Sequence, residues 1–137
     1  MNTTPEQFAR QIEPGLTHRI LIVEDDAILV THLEQTLIQI GYQVSGLAAT
    51  GEAAIEMALA QKPDAILMDI QLPEISGLEV TNWLKEDDDL RHIPVVAVTA
   101  FAMKGDEEVI RQGGCEAYIS KPISVASFLD TVRRFIG

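Results

Sequence analysis

Three short runs of apolar residues divide the chain, and each run is continuous rather than alternating with polar positions. They lie at residues 20–23, 65–68 and 95–98. Continuous apolar runs of this length are typical of strands that are buried on both faces of a parallel sheet. Two weaker runs, at residues 43–47 and 117–120, add two further strand candidates. The pattern therefore predicts five strands.

Apolar residues between these runs recur at the three- and four-residue spacing of amphipathic helices. Helices are predicted at residues 27–40, after Thr50, at residues 77–86 and 104–112, and from Ser124. Gly41 is suited to end the first helix, and Thr50 is suited to cap the second. We expect Leu59 to share an apolar face with Ala58, and Trp83 to be at least half-buried. Five helices thus alternate with five strands.

A repeat of strands and helices builds a three-layer α/β domain, because right-handed crossovers between parallel strands place helices on both faces of the sheet. We assign that domain to residues 19–137. Residues 1–18 form an N-terminal extension, in which Thr4-Pro5-Glu6-Gln7 matches a helix start and is followed by Phe8 and Ile12. A helix this short is unstable alone in water, so it either docks on the domain or a partner, or is disordered.

Composition narrows the classes of partner. The chain has 137 residues, 47% of them hydrophobic, which suits one domain with its own core. Its formal net charge of −11 argues against nucleic acid and anionic membranes as direct partners, since both attract clustered basic residues. A single cysteine, Cys115, excludes an internal disulfide. The first residues lack the apolar core of an export signal, so we expect a cytoplasmic protein.

Polar residues follow four of the five predicted strands. The set is Glu24-Asp25-Asp26 after the first strand, Asp69 at the end of the third, Thr99 at the end of the fourth and Lys121 after the fifth. Because the carboxyl ends of parallel strands meet at one edge of the sheet, we expect these side chains to converge. Clustered carboxylates repel one another unless a cation neutralises them, and Mg²⁺ prefers oxygen ligands. Such a site suits a phosphoryl group carried on one carboxylate.

The residues at these strand ends form a pattern that resembles the receiver domains of two-component response regulators, the CheY-like family. The resemblance is carried by residues 22–26, 67–73, 98–100 and 120–122, and it covers the chain from about residue 19 to its end. It implies a flavodoxin-like fold, which is a single-domain, doubly wound, five-stranded parallel sheet in strand order 2-1-3-4-5, flanked by five helices.

The resemblance also implies a metal site and a phosphoacceptor. Asp69 would accept the phosphoryl group. Glu24 and Asp25, together with Asp69 and the backbone carbonyl of Gln71, would hold Mg²⁺.

Three further roles follow from the same resemblance. Thr99 and Lys121 would bind the phosphoryl oxygens. Thr99 and Tyr118, the latter three residues before Lys121, would form the switch that reports phosphorylation.

The implied partners are proteins. A sensor histidine kinase or a histidine phosphotransfer protein would supply the phosphoryl group from a phosphohistidine, so we expect a signalling domain rather than an enzyme. Residues 69–77, 104–108 and 114–118 resemble especially closely a stand-alone receiver of alphaproteobacterial cell-cycle and polarity signalling. No DNA-binding or catalytic domain follows, so output is expected through contact with a downstream protein. Formation of a homodimer through the extension and origin from a hybrid histidine kinase or larger regulator both stay open.

Two other classes with a similar layout fit less well. An Asp-nucleophile phosphatase of the haloacid dehalogenase type needs a second Asp two residues after the first, where this chain has Gln71. A flavodoxin-like electron carrier needs a phosphate loop after the first strand, where Glu24-Asp25-Asp26 would repel the cofactor phosphate. The sequence also contains neither a Walker A loop nor a GxGxxG motif, which disfavours nucleotide binding.

Overall fold

The structure, a computed structural model, describes residues 18–100 and 106–135. Its strands are β1 (Arg19–Val23), β2 (Gln43–Ala48), β3 (Ala65–Asp69), β4 (Val95–Thr99) and β5 (Ala117–Ser120). Its helices are α1 (Ala27–Gln39), α2 (Gly51–Gln61), α3 (Gly77–Glu86), α4 (Asp106–Gln112) and α5 (Val125–Phe135). The predicted alternation is confirmed. The predicted helix start at Thr4 lies outside the described residues.

The five strands form one parallel sheet in the order β2-β1-β3-β4-β5, as the family resemblance implied. Every residue of β3 and of β4 is buried, which is why these two strands are continuous apolar runs. The register places Asp69 opposite Val98 and Thr99 opposite Ser120. The polar ends of β3, β4 and β5 therefore lie at one level along the same edge.

Alternate residues of the strands feed two separate cores. On one face, Leu21 and Met68 belong to a cluster with side chains of α2, α3 and α4. On the other face, Ile22 and Leu67 belong to a cluster with side chains of α1 and α5. The sheet is therefore covered on both faces, and its carboxyl edge is the place where polar side chains can gather.

The helix ends follow local sequence rules. Asp26, Thr50 and Ser76 cap α1, α2 and α3, and each side-chain oxygen accepts a hydrogen bond from a backbone N–H in the first turn. Gly41 has a φ of 98°, a left-handed conformation suited to glycine directly after α1.

Two large apolar side chains lie at the outer edges of the faces that α2 and α3 bury. Trp83 is 40% exposed, which agrees with the expectation that it is at least half-buried, whereas Leu59 is 45% exposed and stands outside the core cluster that contains Ala58, contrary to the expected shared face. Their neighbours Val80, Leu84 and Ala58 fill the core instead. Helical spacing locates an apolar face to within about one residue in a turn, and the tightly packed helix pair leaves the outer residue of each face in solvent.

Gly77, the first residue of α3, supports the end of β3 by close approach. A Cβ placed there would overlap the carbonyl oxygen of Asp69, and the Gly77 amide donates a 3.1 Å hydrogen bond to the Ile70 carbonyl. Exchange of glycine for alanine in a helix is otherwise favourable by about 1 kcal/mol.

We predict that Gly77→Ala lowers the free energy of unfolding by about 1–3 kcal/mol, because backbone at the end of β3 must move. Urea unfolding measures the change. Gly113→Ala is the matched control, since its Cβ would meet a flexible end group, Leu78 Cδ2, at 3.0 Å. An unchanged or more stable Gly77→Ala protein would contradict the close approach.

Candidate functional site at the carboxyl edge of the sheet

The carboxyl ends of β1, β3, β4 and β5 bring the predicted site residues to one edge of the sheet. Oxygen atoms of Glu24, Asp25 and Asp69 all lie within 4.8 Å of one another. Glu24 and Asp69 are 3% and 1% exposed, whereas Asp25 faces solvent. The predicted convergence of three carboxylates is confirmed.

Lys121 supplies the positive charge of the cluster. Its Nζ lies 3.2 Å from both oxygens of Glu24 and 3.7 Å from Oδ2 of Asp69. The backbone holds this residue in place, because the Lys121 amide donates a 2.7 Å hydrogen bond to the Thr99 carbonyl. The Lys121–Pro122 peptide bond that follows is cis. One ammonium therefore bridges two buried carboxylates from separate strands.

The two oxygens of Asp69 have different surroundings. Oδ1 accepts a 2.9 Å hydrogen bond from the backbone N–H of Gln71, and Oδ2 faces Lys121. This hydrogen bond fixes the turn after β3 against the carboxylate. Gln71 thus lies beside Asp69, as a residue with a backbone ligand role requires.

Thr99 and Tyr118 lie on the same face of neighbouring strands. Thr99 is fully buried at the end of β4. Tyr118 pairs with Ala97, two residues before Thr99, and packs partly buried against the core on the side of α2, α3 and α4. Since side chains two residues apart in a strand share a face, the hydroxyl of Thr99 and the ring of Tyr118 line the same side of the sheet.

Two adjacent acids after β1 have different tasks. Asp26 has an extended backbone, and its Oδ1 accepts hydrogen bonds from the amides of Ile28 at 3.0 Å and Leu29 at 3.2 Å. It is therefore the N-cap of α1. Asp25, one residue earlier, is the acid that joins the cluster with Asp69.

Burial raises the pKa of Glu24 from its ordinary value of 4.5 to about 7, and the nearby charge of Asp69 adds to the increase. The hydrogen bond from Lys121 acts in the opposite direction but is outweighed. The cluster therefore carries more negative charge than its surroundings stabilise.

The residues present fit a hard divalent cation. Buried Oε2 of Glu24 has no hydrogen-bond partner among the described residues, although the Lys121 ammonium lies near it. Three carboxylates and one ammonium leave a formal charge of −2 when all are ionised, which one divalent ion neutralises. All available ligand atoms are oxygens. Asp25 faces solvent and Gln71 lies in the turn after β3, which suits Mg²⁺ with retained waters.

Sequence reasoning missed two contributors to this geometry. The backbone N–H of Asp26 donates a 3.3 Å hydrogen bond to Glu24 Oε1, and Gly77 allows α3 to approach Asp69. A glycine eight residues after a strand-end acid was the available signal for the second. Nothing in the sequence signals the first, because it depends on backbone direction.

The family model for the response regulator receiver domain matches residues 20–133 of this chain. The chain belongs to the response regulator receiver family. Its relatives include the polar-differentiation response regulator DivK of Brucella anthropi, 58% identical over 118 residues, which are 86% of this chain and 95% of that protein. DivK of Brucella ovis is 56% identical over 122 residues, 89% of this chain and 98% of that protein.

Solved receiver structures share the fold of this receiver. The receiver domain of a sensor histidine kinase from Pseudomonas aeruginosa PAO1, crystallised with a magnesium ion coordinated in its active site cleft, is 37% identical with a TM-score of 0.80, covering 88% of this chain and 98% of that one. The response regulator domain of Thermotoga maritima CheB is 26% identical with a TM-score of 0.78, covering 88% and 96%. Within the described residues, every helix falls short of the length and apolarity that crossing a bilayer requires.

We predict that the metal-free receiver loses stability as pH rises from about 4.5 to about 7 because of Glu24. The folded state holds a proton on this carboxyl in a pH range where the unfolded state has released it, so the free energy of unfolding falls across that range and levels off above it. The Glu24 contribution is at most about 3 kcal/mol. Urea unfolding at several pH values, in the presence of a chelator, measures this change in the free energy of unfolding.

Glu24→Gln should remove this part of the pH dependence and raise stability above pH 7, because the amide carries no charge to desolvate. Added Mg²⁺ should stabilise the wild type above pH 7, since a cation favours the ionised carboxylates. An identical pH profile for wild type and Glu24→Gln would contradict the assignment.

Proposed function

We propose that this receiver accepts a phosphoryl group on Asp69 from a phosphohistidine of a sensor histidine kinase or a histidine phosphotransfer protein. The observation that carries the proposal is the position of Asp69, a buried carboxylate at the end of β3 with the Lys121 ammonium 3.7 Å from Oδ2. Burial of a carboxylate is costly and adds nothing to apolar packing. A buried acid next to an ammonium is therefore better explained by chemistry that uses charge than by a structural role.

In the proposed transfer, Oδ2 of Asp69 forms a bond to phosphorus while the bond from phosphorus to the imidazole nitrogen breaks. The electron pair of the broken bond stays on that nitrogen, and the product is an acyl phosphate on Asp69. Water later returns the carboxylate and releases inorganic phosphate. A carboxylate is a weak nucleophile, so most of the rate must come from in-line positioning and charge compensation.

The acids and the turn after β3 would hold the metal. Glu24, Asp25, Asp69 and the backbone carbonyl of Gln71 are the proposed ligands, in line with the 4.8 Å cluster and with the Gln71 amide bound to Asp69. Bound Mg²⁺ would neutralise charge on the oxygens of the transferring group.

Lys121 and Thr99 would contact the phosphoryl oxygens. The Lys121 ammonium is poised between Glu24 and Asp69, and a phosphoryl group on Oδ2 would add oxygens within its reach. Thr99 ends the strand next to β3, one residue beyond the partner of Asp69 in the register. Hydrogen bonds to a charged phosphoryl oxygen are about twice as strong as neutral ones, which favours a movement of Thr99 towards Asp69.

The proposed output is a change of surface around α4 and β5. A shift of Thr99 would open space next to Tyr118, whose ring lies on the same face and is only partly buried. The adjacent α4 has seven residues, and Val109 on it is 53% exposed, so it is held by few apolar contacts and is easy to displace. This receiver would thus signal by phosphorylation-dependent contact with a downstream protein. It would act in the cytoplasm as a response regulator similar to DivK.

We predict that incubation with a small phosphodonor such as acetyl phosphate and Mg²⁺ adds one phosphoryl group to the wild type and none to Asp69→Asn. Intact-mass measurement detects the adduct, which should be lost in base because it is an acyl phosphate. Asp89→Asn is the matched control at an exposed acid after α3 and should be modified like the wild type. A stable adduct on Asp69→Asn would overturn the phosphoacceptor assignment.

We predict that Tyr118→Ala leaves phosphorylation of Asp69 intact but removes its effect on α4. Hydrogen–deuterium exchange of peptides spanning Asp106–Gln112 measures the effect with and without phosphoryl group. Tyr42→Ala changes the other of the two tyrosines in the chain. It is the control and should respond like the wild type. An α4 response that persists in Tyr118→Ala would rule out the switch role.

A further inference from the structure

The amino-terminal edge of the sheet, opposite the acid cluster, holds a partly buried ion pair. Lys85 lies in the last turn of α3, and its Nζ is 2.5 Å from Oε1 of Glu116. The same ammonium donates hydrogen bonds to the backbone carbonyls of Ile93 at 2.8 Å and Arg91 at 3.2 Å. An ammonium has three N–H donors, and three acceptors surround this one on a side chain that is 18% exposed. Lys85 is therefore held on three sides.

The other partner of the pair, Glu116, is bound to β4 as well as to Lys85. Its Oε2 accepts a 2.6 Å hydrogen bond from the Val95 amide, and its own amide donates a 2.9 Å hydrogen bond to the Val95 carbonyl. Val95 is the first residue of β4 and is fully buried. Loss of one member would leave the others with partly buried polar groups that lack partners. Lys85, Glu116 and the Val95 backbone, named the Lys85 clamp here, thus connect α3 and β4 to the residue before β5.

The carboxyl end of α4 lies directly against this clamp. Gly114, two residues after α4, has a φ of 100°, and a Cβ placed there would come within 2.8 Å of Lys85 Cγ. Cys115, the residue between Gly114 and the clamp, is 4% exposed, and its amide donates a 3.3 Å hydrogen bond to the Ile110 carbonyl. The chain that leaves α4 is therefore packed on the aliphatic part of Lys85.

The body of α4 is held much less firmly. Of its side chains that the structure describes, Ile110 alone is buried, and Val109 is 53% exposed. Two successive glycines, Gly113 and Gly114, join the helix to the clamp and are named the glycine hinge here. Glycine backbone accepts large changes of φ and ψ, and hinges are commonly a few residues at the end of an element. The helix is thus fixed at one end, through a joint that can bend.

We infer that the Lys85 clamp is the fixed point of α4 and that the helix turns about the glycine hinge. The inference rests on the proposed function for the cause of the turn, since phosphorylation is proposed there to change the surface around α4. Displacement of a rigid helix grows with distance from its pivot. Glu108 lies about 8 Å from the hinge along the helix axis and Gln112 about 2 Å, so Glu108 moves several times as far. The output surface therefore changes most towards the amino end of α4.

Distances between two spin labels test this motion. One nitroxide is placed on α1, across the sheet, through Gln35→Cys, and the other on α4 through either Glu108→Cys or Gln112→Cys, and all three positions are exposed. The native Cys115 is 4% exposed with a thiol pKa raised to about 11, so it does not compete for the reagent. On addition of Mg²⁺ and beryllium fluoride, a phosphoryl analogue, pulsed EPR should show the Glu108 distance shift by about 2 Å and the Gln112 distance by less than half as much.

Variants at position 85 test the fixed point without the analogue. Lys85→Met keeps the aliphatic stem and removes the ammonium, so the distribution of the Gln112 distance should broaden. Lys85→Arg should keep the narrow distribution of the wild type, because a guanidinium can donate to the same acceptors. Arg91→Met removes the charge of an exposed ion pair with Asp88 in the loop after α3. It is the matched control and should give the wild-type distribution.

A second variant removes the charge from the other side of the pair. Glu116→Gln keeps an oxygen for the Val95 amide, so it should also broaden the Gln112 distance, and it serves as the test if Lys85→Met does not fold. An unchanged Gln112 distribution in the folded variants, or equal shifts of the Glu108 and Gln112 distances in the wild type, would overturn the inference. If the analogue moves neither label while the variants still broaden the Gln112 distance, the fixed point is supported and the proposed output through α4 is wrong.

Discussion

Repulsion among the carboxylates at the carboxyl edge of the sheet is the interaction on which the rest of the structure depends. Three acids hold oxygen atoms within 4.8 Å of one another, and two of the acids are almost fully buried. Lys121 compensates part of the charge, but the pKa of Glu24 stays raised to about 7. A site with this excess of negative charge gains free energy from a divalent cation, and in the proposed reaction that cation would also compensate the charge of the phosphoryl group.

The parallel sheet holds the side chains of the site in fixed positions. Strands β3 and β4 are buried throughout, so the ends that carry Asp69 and Thr99 cannot move apart without exposing core. The backbone bond from Lys121 to Thr99 and the bond from Gln71 to Asp69 connect the loops to those ends. The elements on which signalling would act, α4 and Tyr118, lie where burial is incomplete. A rigid site therefore adjoins a surface that small changes can remodel.

Much of this could be predicted from the sequence, for physical reasons that also set the limits. Strands buried on both faces are visible as apolar runs, and parallel connection brings their polar ends together. The strand order came from family resemblance, since apolar runs do not specify neighbours. The residue pattern does not show which of Asp25 and Asp26 caps α1, because the backbone direction after β1 decides it. Lys121 was expected at the same edge, but the choice of Glu24 as its direct partner, 97 positions away, is not visible in the pattern. Leu59 is more exposed than its helical spacing indicates, because hydrophobicity alone does not report what packs beside a residue.

Titration calorimetry of Mg²⁺ into wild type, Asp25→Asn and Asp26→Asn tests the central claim most directly. Both variants remove one negative charge from adjacent positions, and asparagine caps a helix as well as aspartate does, so α1 should stay intact in Asp26→Asn. The predicted result is a single saturable site in the wild type, retained in Asp26→Asn and lost or strongly weakened in Asp25→Asn. Equal affinity in all three proteins, or the absence of saturable binding to the wild type, would contradict a cation site built from the converging acids.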